Sequence, residues 1–177
     1  MNLQSSDFEL FGLASQFSQD RAAIDARWKD LQREVHPDKF AAQGAAAQRV
    51  AMQWSVRINE AYQRLKNPLK RAAYLCELNA APVNAENNTA MPAEFLIRQM
   101  QWREALDEAL TVADLDDLGA QVVAARRDAL QHCEQLLDQQ HDYRQAVQQV
   151  RALMFIERFA HDVEARRDRI DTADRGQ

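Results

Sequence analysis

Residues 21–66 read RAAIDARWKDLQREVHPDKFAAQGAAAQRVAMQWSVRINEAYQRLK, and the spacing of apolar residues on either side of one proline decides the fold. From about Ser18 to Val35, the residues Ile24, Trp28, Leu31 and Val35 recur at helical spacing and form one buried stripe. From about Gly44 to Lys66 a second stripe runs through Val50, Trp54, Ile58, Ala61 and Leu65. Between them the first helix must stop at His36, because the ring of Pro37 disfavours the α conformation in the residue before it. The chain then turns through Asp38-Lys39-Phe40 and a polar, Ala-rich segment. Two helices of matching length and period on either side of a short turn pack as an antiparallel hairpin.

Working outward, Asn67-Pro68 reads as an N-cap followed by proline at the first helical position, opening a short helix through Leu69, Ala72, Ala73 and Leu75. The first domain therefore covers residues 1–78. Residues 79–92, NAAPVNAENNTAMP, have few large apolar groups and much Asn, Ala and Pro, which is linker composition. Three further helical segments follow at about 93–111, 114–138 and 142–170, joined by short polar connections that suit antiparallel neighbours. They predict a three-helix bundle over 93–171, with a frayed, disordered tail at 172–177. The fold class is all-α, since Ala, Gln, Arg, Glu and Leu dominate and only 4 Gly and 4 Pro punctuate the chain.

The net charge of −5 is unevenly shared: residues 1–78 carry 11 Lys plus Arg against 9 Asp plus Glu, leaving 11 against 18 for the rest. This balance argues against a nucleic-acid protein, because counterion release needs clustered cations. With Cys76 and Cys133 alone there is no disulfide framework and no Cys-x-x-Cys pair, which points to a reducing compartment. The N-terminus MNLQSSDFELFGLASQF lacks a basic region followed by an apolar run, and no stretch approaches a membrane span of roughly 18 apolar residues. The expectation is a soluble, cytoplasmic monomer. His132, Cys133, His141 and His161 lack the paired spacing of metal ligands, no Gly-rich phosphate loop occurs, and no nucleophile has a spaced base. No cofactor, no metal and no catalytic residue are expected.

Two surfaces remain as candidate sites. On the first hairpin helix Lys29 and Arg33 lie opposite the apolar stripe, with Arg27 on its flank and Lys39 beside the turn, making a basic outer face. A solvated face is the alternative, because Asp30 interrupts it. In FLIRQMQWREALDEAL, residues Phe95, Trp102, Leu106 and Ala109 make one stripe, and Leu96, Ile97 and Met100 another about 150° away at 100° per residue. The second continues into Glu104 and Glu108. An apolar patch with an acidic extension reads as a binding site; the alternative is packing against the first domain or the linker.

On Phe8, LFGL at 10–13, His36-Pro37-Asp38-Lys39-Phe40 and Asn59-Glu60-Ala61-Tyr62-Gln63-Arg64-Leu65, the first 75 or so residues resemble the J domain. That resemblance implies that the loop docks on a DnaK-type chaperone and speeds its ATP hydrolysis, with Arg27, Lys29, Arg33 and Lys39 approaching an acidic surface. A rigid proline, an exposed carboxylate able to accept charge-assisted hydrogen bonds and a neighbouring imidazole suit such docking. FLIRQMQWREALDEAL and LMFIERF at 153–159 extend the resemblance, from about Leu3 to Ile170, to the HscB-type co-chaperones of iron–sulfur cluster assembly. This implies that the chaperone is HscA and that the bundle binds the cluster scaffold IscU through Leu96, Ile97, Met100, Gln101, Glu104, Glu108 and Phe155. Gln101 stands where the pattern carries an acidic residue, and Phe155 read from sequence alone is as much a core residue as a contact. The chain lacks the N-terminal zinc-binding cysteines of some homologues and the Gly/Phe-rich and Cys-rich segments of general DnaJ proteins. Rival readings are a J-domain protein with a different specialised client and, less well supported, a helical nucleic-acid binder using the Arg27/Lys29/Arg33 face.

Overall fold

The computed structural model describes residues 4–84 and 91–175, and among these the regular elements are all helical. The short helix α1 (Asp7–Phe11) starts in a capping box, in which Ser6 and Glu9 satisfy one another's backbone N–H groups. It ends at Gly12, whose φ of 65° is the left-handed conformation that glycine adopts without strain. Helix α2 (Arg21–Glu34) starts later than the apolar period suggests, because Asp20 accepts the Ala22 N–H and sets the N-cap there. A 3₁₀ turn (Pro37–Gln43) leads to α3 (Ala45–Lys66). Asn67 caps α4 (Pro68–Leu78) with Pro68 at its first position, as the Asn-Pro pair predicts.

Helices α2 and α3 form the expected hairpin. The Trp28 ring stacks on Tyr62 with centroids 4.7 Å apart, and its Nε1–H donates to Asn59 Oδ1 at 2.9 Å. Gln32 Nε2 donates to the same oxygen at 2.9 Å, and Ser55 Oγ donates to Gln32 Oε1 at 3.0 Å. One residue of the anticipated second stripe is misplaced: Val50 is 52% exposed, and Ala51 is buried instead. Steps of three and four from Ile58 through Trp54 reach Ala51, and a second four-residue step rotates Val50 off the face.

The second half begins with α5 (Ala93–Glu108), which stops short of 111 because Ala109 is extended and Thr111 opens the next helix through a capping box with Asp114. Hydrogen bonds from Thr111 and from the Leu110 backbone hold the Asp114 carboxyl below its ordinary pKa. Helix α6 (Val112–Glu134) passes into a π-helical turn (Gln135–Gln139), and α7 (Tyr143–Arg175) returns antiparallel to it. Helix α5 packs on this pair through Trp102, which stacks against Phe159 at 5.4 Å and Phe155 at 6.4 Å. Helix α7 continues to Arg175 where the sequence suggests a frayed tail from 172, with Thr172 Oγ1 donating to the Asp168 carbonyl at 2.6 Å; residues 176 and 177 lie outside the described residues.

The two halves share one buried cluster. Helix α4 packs on α7 and α6, and Cys76 of α4 and Cys133 of α6 are both fully buried. The segment between the halves is not wholly solvated: Val83 and Met91 are buried, and the Val83 carbonyl accepts Arg151 Nε–H at 2.8 Å. Residues 85–90 of the expected linker lie outside the described residues.

Candidate functional site

The turn at the tip of the hairpin holds its polar groups outward. His36 Nδ1 accepts the Asp38 backbone N–H at 3.3 Å and the His36 carbonyl accepts the Lys39 N–H at 3.0 Å, so the imidazole closes the turn that Pro37 begins. The Asp38 carboxylate lies 3.6 Å from the same ring nitrogen, which as an acceptor gives it no hydrogen bond. That carboxylate is 91% exposed. Nothing in the fold requires an acid there, and it is free to accept donors from outside the chain.

The basic face of α2 is interleaved with acids. Arg27 Nη1 lies 3.3 Å from Glu34 Oε1, and Arg33 Nη1 lies 3.0 Å from Asp30 Oδ1. Lys29 is exposed. Nearby, Arg21 donates to Asp25 at 2.8 Å and holds that carboxyl below its ordinary pKa, with Tyr62 and Lys29 adding to the effect. Exposed pairs of this kind contribute little to stability and exchange readily for other partners. The face therefore stays available to an anionic surface.

On α5 the second stripe is unpartnered. Leu96, Ile97 and Met100 are 42%, 55% and 70% exposed, and Gln101, Glu104 and Glu108 are exposed beside them. The expected alternative, packing of this stripe on the first domain or linker, is not what the structure holds. Phe155 of α7 differs from these residues. It is half-buried, meets Phe95 edge-on at 5.8 Å, stacks on Phe159 at 5.7 Å, and carries the Arg103 guanidinium 5.7 Å from its ring centroid. It is thus part of the core with a solvent-facing margin, and on α5 it packs against the Phe95/Trp102 stripe. Beside it in sequence, Met154 is also exposed, a residue the stripe analysis of α5 alone could not reach.

Sequence reading also missed Asp7, which is fully buried and lies 2.6 Å from Arg57 Nη1 and 3.2 Å from Arg64 Nη1. Its N–H donates to Tyr74 Oη at 2.9 Å, so one acid ties α1 to α3 and α4. No local pattern around Asp7 marks it as buried, since its partners Arg57, Arg64 and Tyr74 all lie far along the chain. Among the described residues no cluster of His, Cys, Asp or Glu could hold a metal ion, and no helix is long and apolar enough to cross a membrane.

Comparison with known proteins agrees with both halves. A family model described as the HSCB C-terminal oligomerisation domain matches residues 91–164. The co-chaperone protein HscB homolog of Burkholderia multivorans is 46% identical over 97% of this chain and 99% of its own length. That of Bordetella petrii is 47% identical over 90% of this chain and 95% of its own. Among solved structures, the chaperone HscB from Vibrio cholerae superposes with a TM-score of 0.79 at 33% identity, covering 94% of this chain and 99% of its own. The human co-chaperone protein HscB, at 24% identity, gives a TM-score of 0.88 over 93% and 83%, a likeness of fold. A hairpin with an exposed His-Pro-Asp turn, an unpartnered apolar patch on the bundle, and relatives alike from end to end lead to one conclusion: the chain belongs to the HscB co-chaperone family.

Proposed function

We propose that this chain stimulates the ATPase of a DnaK-type chaperone, HscA, through the His36-Pro37-Asp38 turn, and delivers to it the iron–sulfur scaffold IscU held on the α5 patch. The observation that carries the reading is that the chain has two exposed, chemically distinct surfaces on separate halves. A carboxylate on a proline-fixed turn sits beside Lys39 and the Arg27/Lys29/Arg33 face. The other surface is Leu96, Ile97 and Met100 with an acidic continuation through Glu104 and Glu108. An exposed cluster of large apolar side chains costs solubility unless it is used, and interfaces concentrate their energy in such anchors. In this reading Phe155 adds an aromatic contact from α7 and Gln101 a neutral polar one.

The chain has no reaction of its own in this scheme and acts as a monomeric adaptor in the cytoplasm. By holding scaffold and chaperone at once it raises the effective concentration of the scaffold's recognition segment where ATP is hydrolysed. The test combines two measurements on the full-length chain: calorimetric binding to IscU, and steady-state ATPase of HscA with the chain alone, IscU alone and both. The reading requires binding and a response to both that exceeds the two separate responses combined. Binding of another client in place of IscU would instead favour a differently specialised J-domain protein.

A further inference from the structure

Asp138 lies in the π-helical turn between α6 and α7, yet its carboxylate is engaged by the other half of the chain. Oδ1 accepts the Phe17 N–H at 2.6 Å and Oδ2 accepts the Ser18 N–H at 2.8 Å. These are charge-assisted bonds to two successive amides, of the strong kind. Phe17 is gripped from its other side by α4: its carbonyl accepts Arg71 Nε–H at 2.7 Å, and the Arg71 guanidinium lies 5.2 Å from its ring centroid. Both Phe17 and Arg71 are buried. Two residues beyond Ser18, Asp20 caps α2. The bundle therefore holds the root of the helix whose far end is His36.

The turn that presents Asp138 is itself unusual. Gln140 N–H reaches the Gln135 carbonyl at 3.0 Å, Asp142 N–H reaches that of Leu136 at 2.9 Å, and His141 stands at φ 53°. Such widened turns re-aim side chains relative to a continuing α-helix and are frequent at functional positions. Asp138 is also a countercharge to the buried Arg71: burial lowers the guanidinium pKa and the Asp138 charge opposes that shift. The seam between the halves thus has a polar register mark within its apolar packing.

We propose that Asp138 is a positioning residue, which fixes the direction of α2, and with it the His36-Pro37-Asp38 turn, relative to the α5 patch, so that a client on the bundle is presented to the docked chaperone at one span. The clamp stands on its own geometry; its consequence for delivery rests on the function proposed above. Effective concentration between linked sites depends on the span being held, and a loosened seam spreads that span over many values.

The test is Asp138→Asn in the full-length chain. The amide keeps the size of the carboxylate but removes its charge and replaces one acceptor by a donor facing an N–H. Spin labels on A23C and A105C, both at exposed positions outside the two surfaces, report the distance between α2 and α5. The native thiols are buried and stay protonated, so they do not compete for label. The parent should give one narrow distance population and Asp138→Asn a broadened or second one at unchanged helicity. HscA stimulation by the chain alone and affinity for IscU should be unaltered, while the added stimulation with IscU bound falls about fivefold, the low end of coupling between sites. An unchanged distance distribution overturns the proposal, and so does a broadened one with the added stimulation intact. If IscU adds nothing to stimulation even by the parent, a broadened distribution still supports the clamp, and the delivery reading is what fails. Should Asp138→Asn unfold, Asp138→Glu, which keeps the charge beside Arg71 but moves it by one methylene, carries the same measurements.

Discussion

Phe155 of α7 takes the edge of the Phe95 ring of α5, with centroids 5.8 Å apart and planes at 86°. Such a contact is worth something beyond its buried area, and it seats Phe155 on the packed stripe of α5, about 150° from Leu96, Ile97 and Met100 of the proposed scaffold-binding set. Its members divide accordingly. Phe155→Ala should cost about 3 kcal/mol, because it removes a partly buried aromatic. Leu96→Ala and Met100→Ala should each stay within about 0.5 kcal/mol, as exposed positions do. All three should weaken scaffold binding. Urea melts beside calorimetry separate the cases: a large loss of stability from Leu96→Ala or Met100→Ala would mean that the patch is core.

His36→Gln and Asp38→Asn should abolish stimulation of the chaperone ATPase while leaving the melt and scaffold affinity unchanged. The fold asks little of either side chain: Asp38 is solvated, and His36 makes one local hydrogen bond inside the turn. His36→Gln keeps an acceptor in reach of the Asp38 N–H. Full stimulation by either variant would remove the turn from the chaperone contact.

Charge reversal of Arg27, Lys29 and Arg33 to Glu together should weaken stimulation and change its dependence on salt, because attraction between exposed charges is screened over about 8 Å at physiological ionic strength. Two of the three changes set Glu beside Glu34 and Asp30. Since exposed pairs contribute at most about 1 kcal/mol each, the chain should remain folded. An ATPase response equal to the parent's at low salt would leave the face merely solvated.

Asp7→Ala should be the most damaging single change outside the apolar core. It leaves Arg57 and Arg64 facing a site from which their shared countercharge has gone. Breaking a buried pair in this way costs about 3 to 5 kcal/mol. Chemical denaturation measures it, and a cost below 1 kcal/mol would show that both guanidinium groups turn out to water.

What could be read from sequence followed the range of the interactions involved. The hairpin was legible because its period and its proline are local, and the second stripe of α5 was legible because 100° per residue places Leu96, Ile97 and Met100 together without reference to any partner. Local period alone also puts Val50 on the stripe where the structure buries Ala51: a single step of four instead of three near a helix start shifts a residue off the face, and only packing decides between them. Asp7 and Asp138 left no trace in local pattern, since each is defined by partners 50 to 121 residues away. Phe155 was ambiguous in sequence and is ambiguous in space, since it serves core and surface together.

The Cys76 and Cys133 pair gives stability a definite alkaline limit. Burial is the largest cause holding both thiols protonated, with pKa values pushed up from 9.0 to about 11 for Cys76 and about 12 for Cys133. In the unfolded chain the same thiols ionise near their ordinary value. The native state therefore binds more protons than the unfolded state between the two values, and stability must fall as pH rises through that window. The contribution is complete below about pH 9 and is lost progressively up to about 11 and 12, at no more than about 1.4 kcal/mol per pH unit for each thiol. The reference is the Cys76→Ala/Cys133→Ala double variant, which isolates the contribution of the two thiols. Urea midpoints at pH 8, 9 and 10 should fall more steeply for the parent than for the double variant, whose packing loss shifts all its midpoints without adding to the slope. Parallel curves would mean that the thiols reach water in the native state and that the seam between the halves is looser than its complete burial of both residues implies.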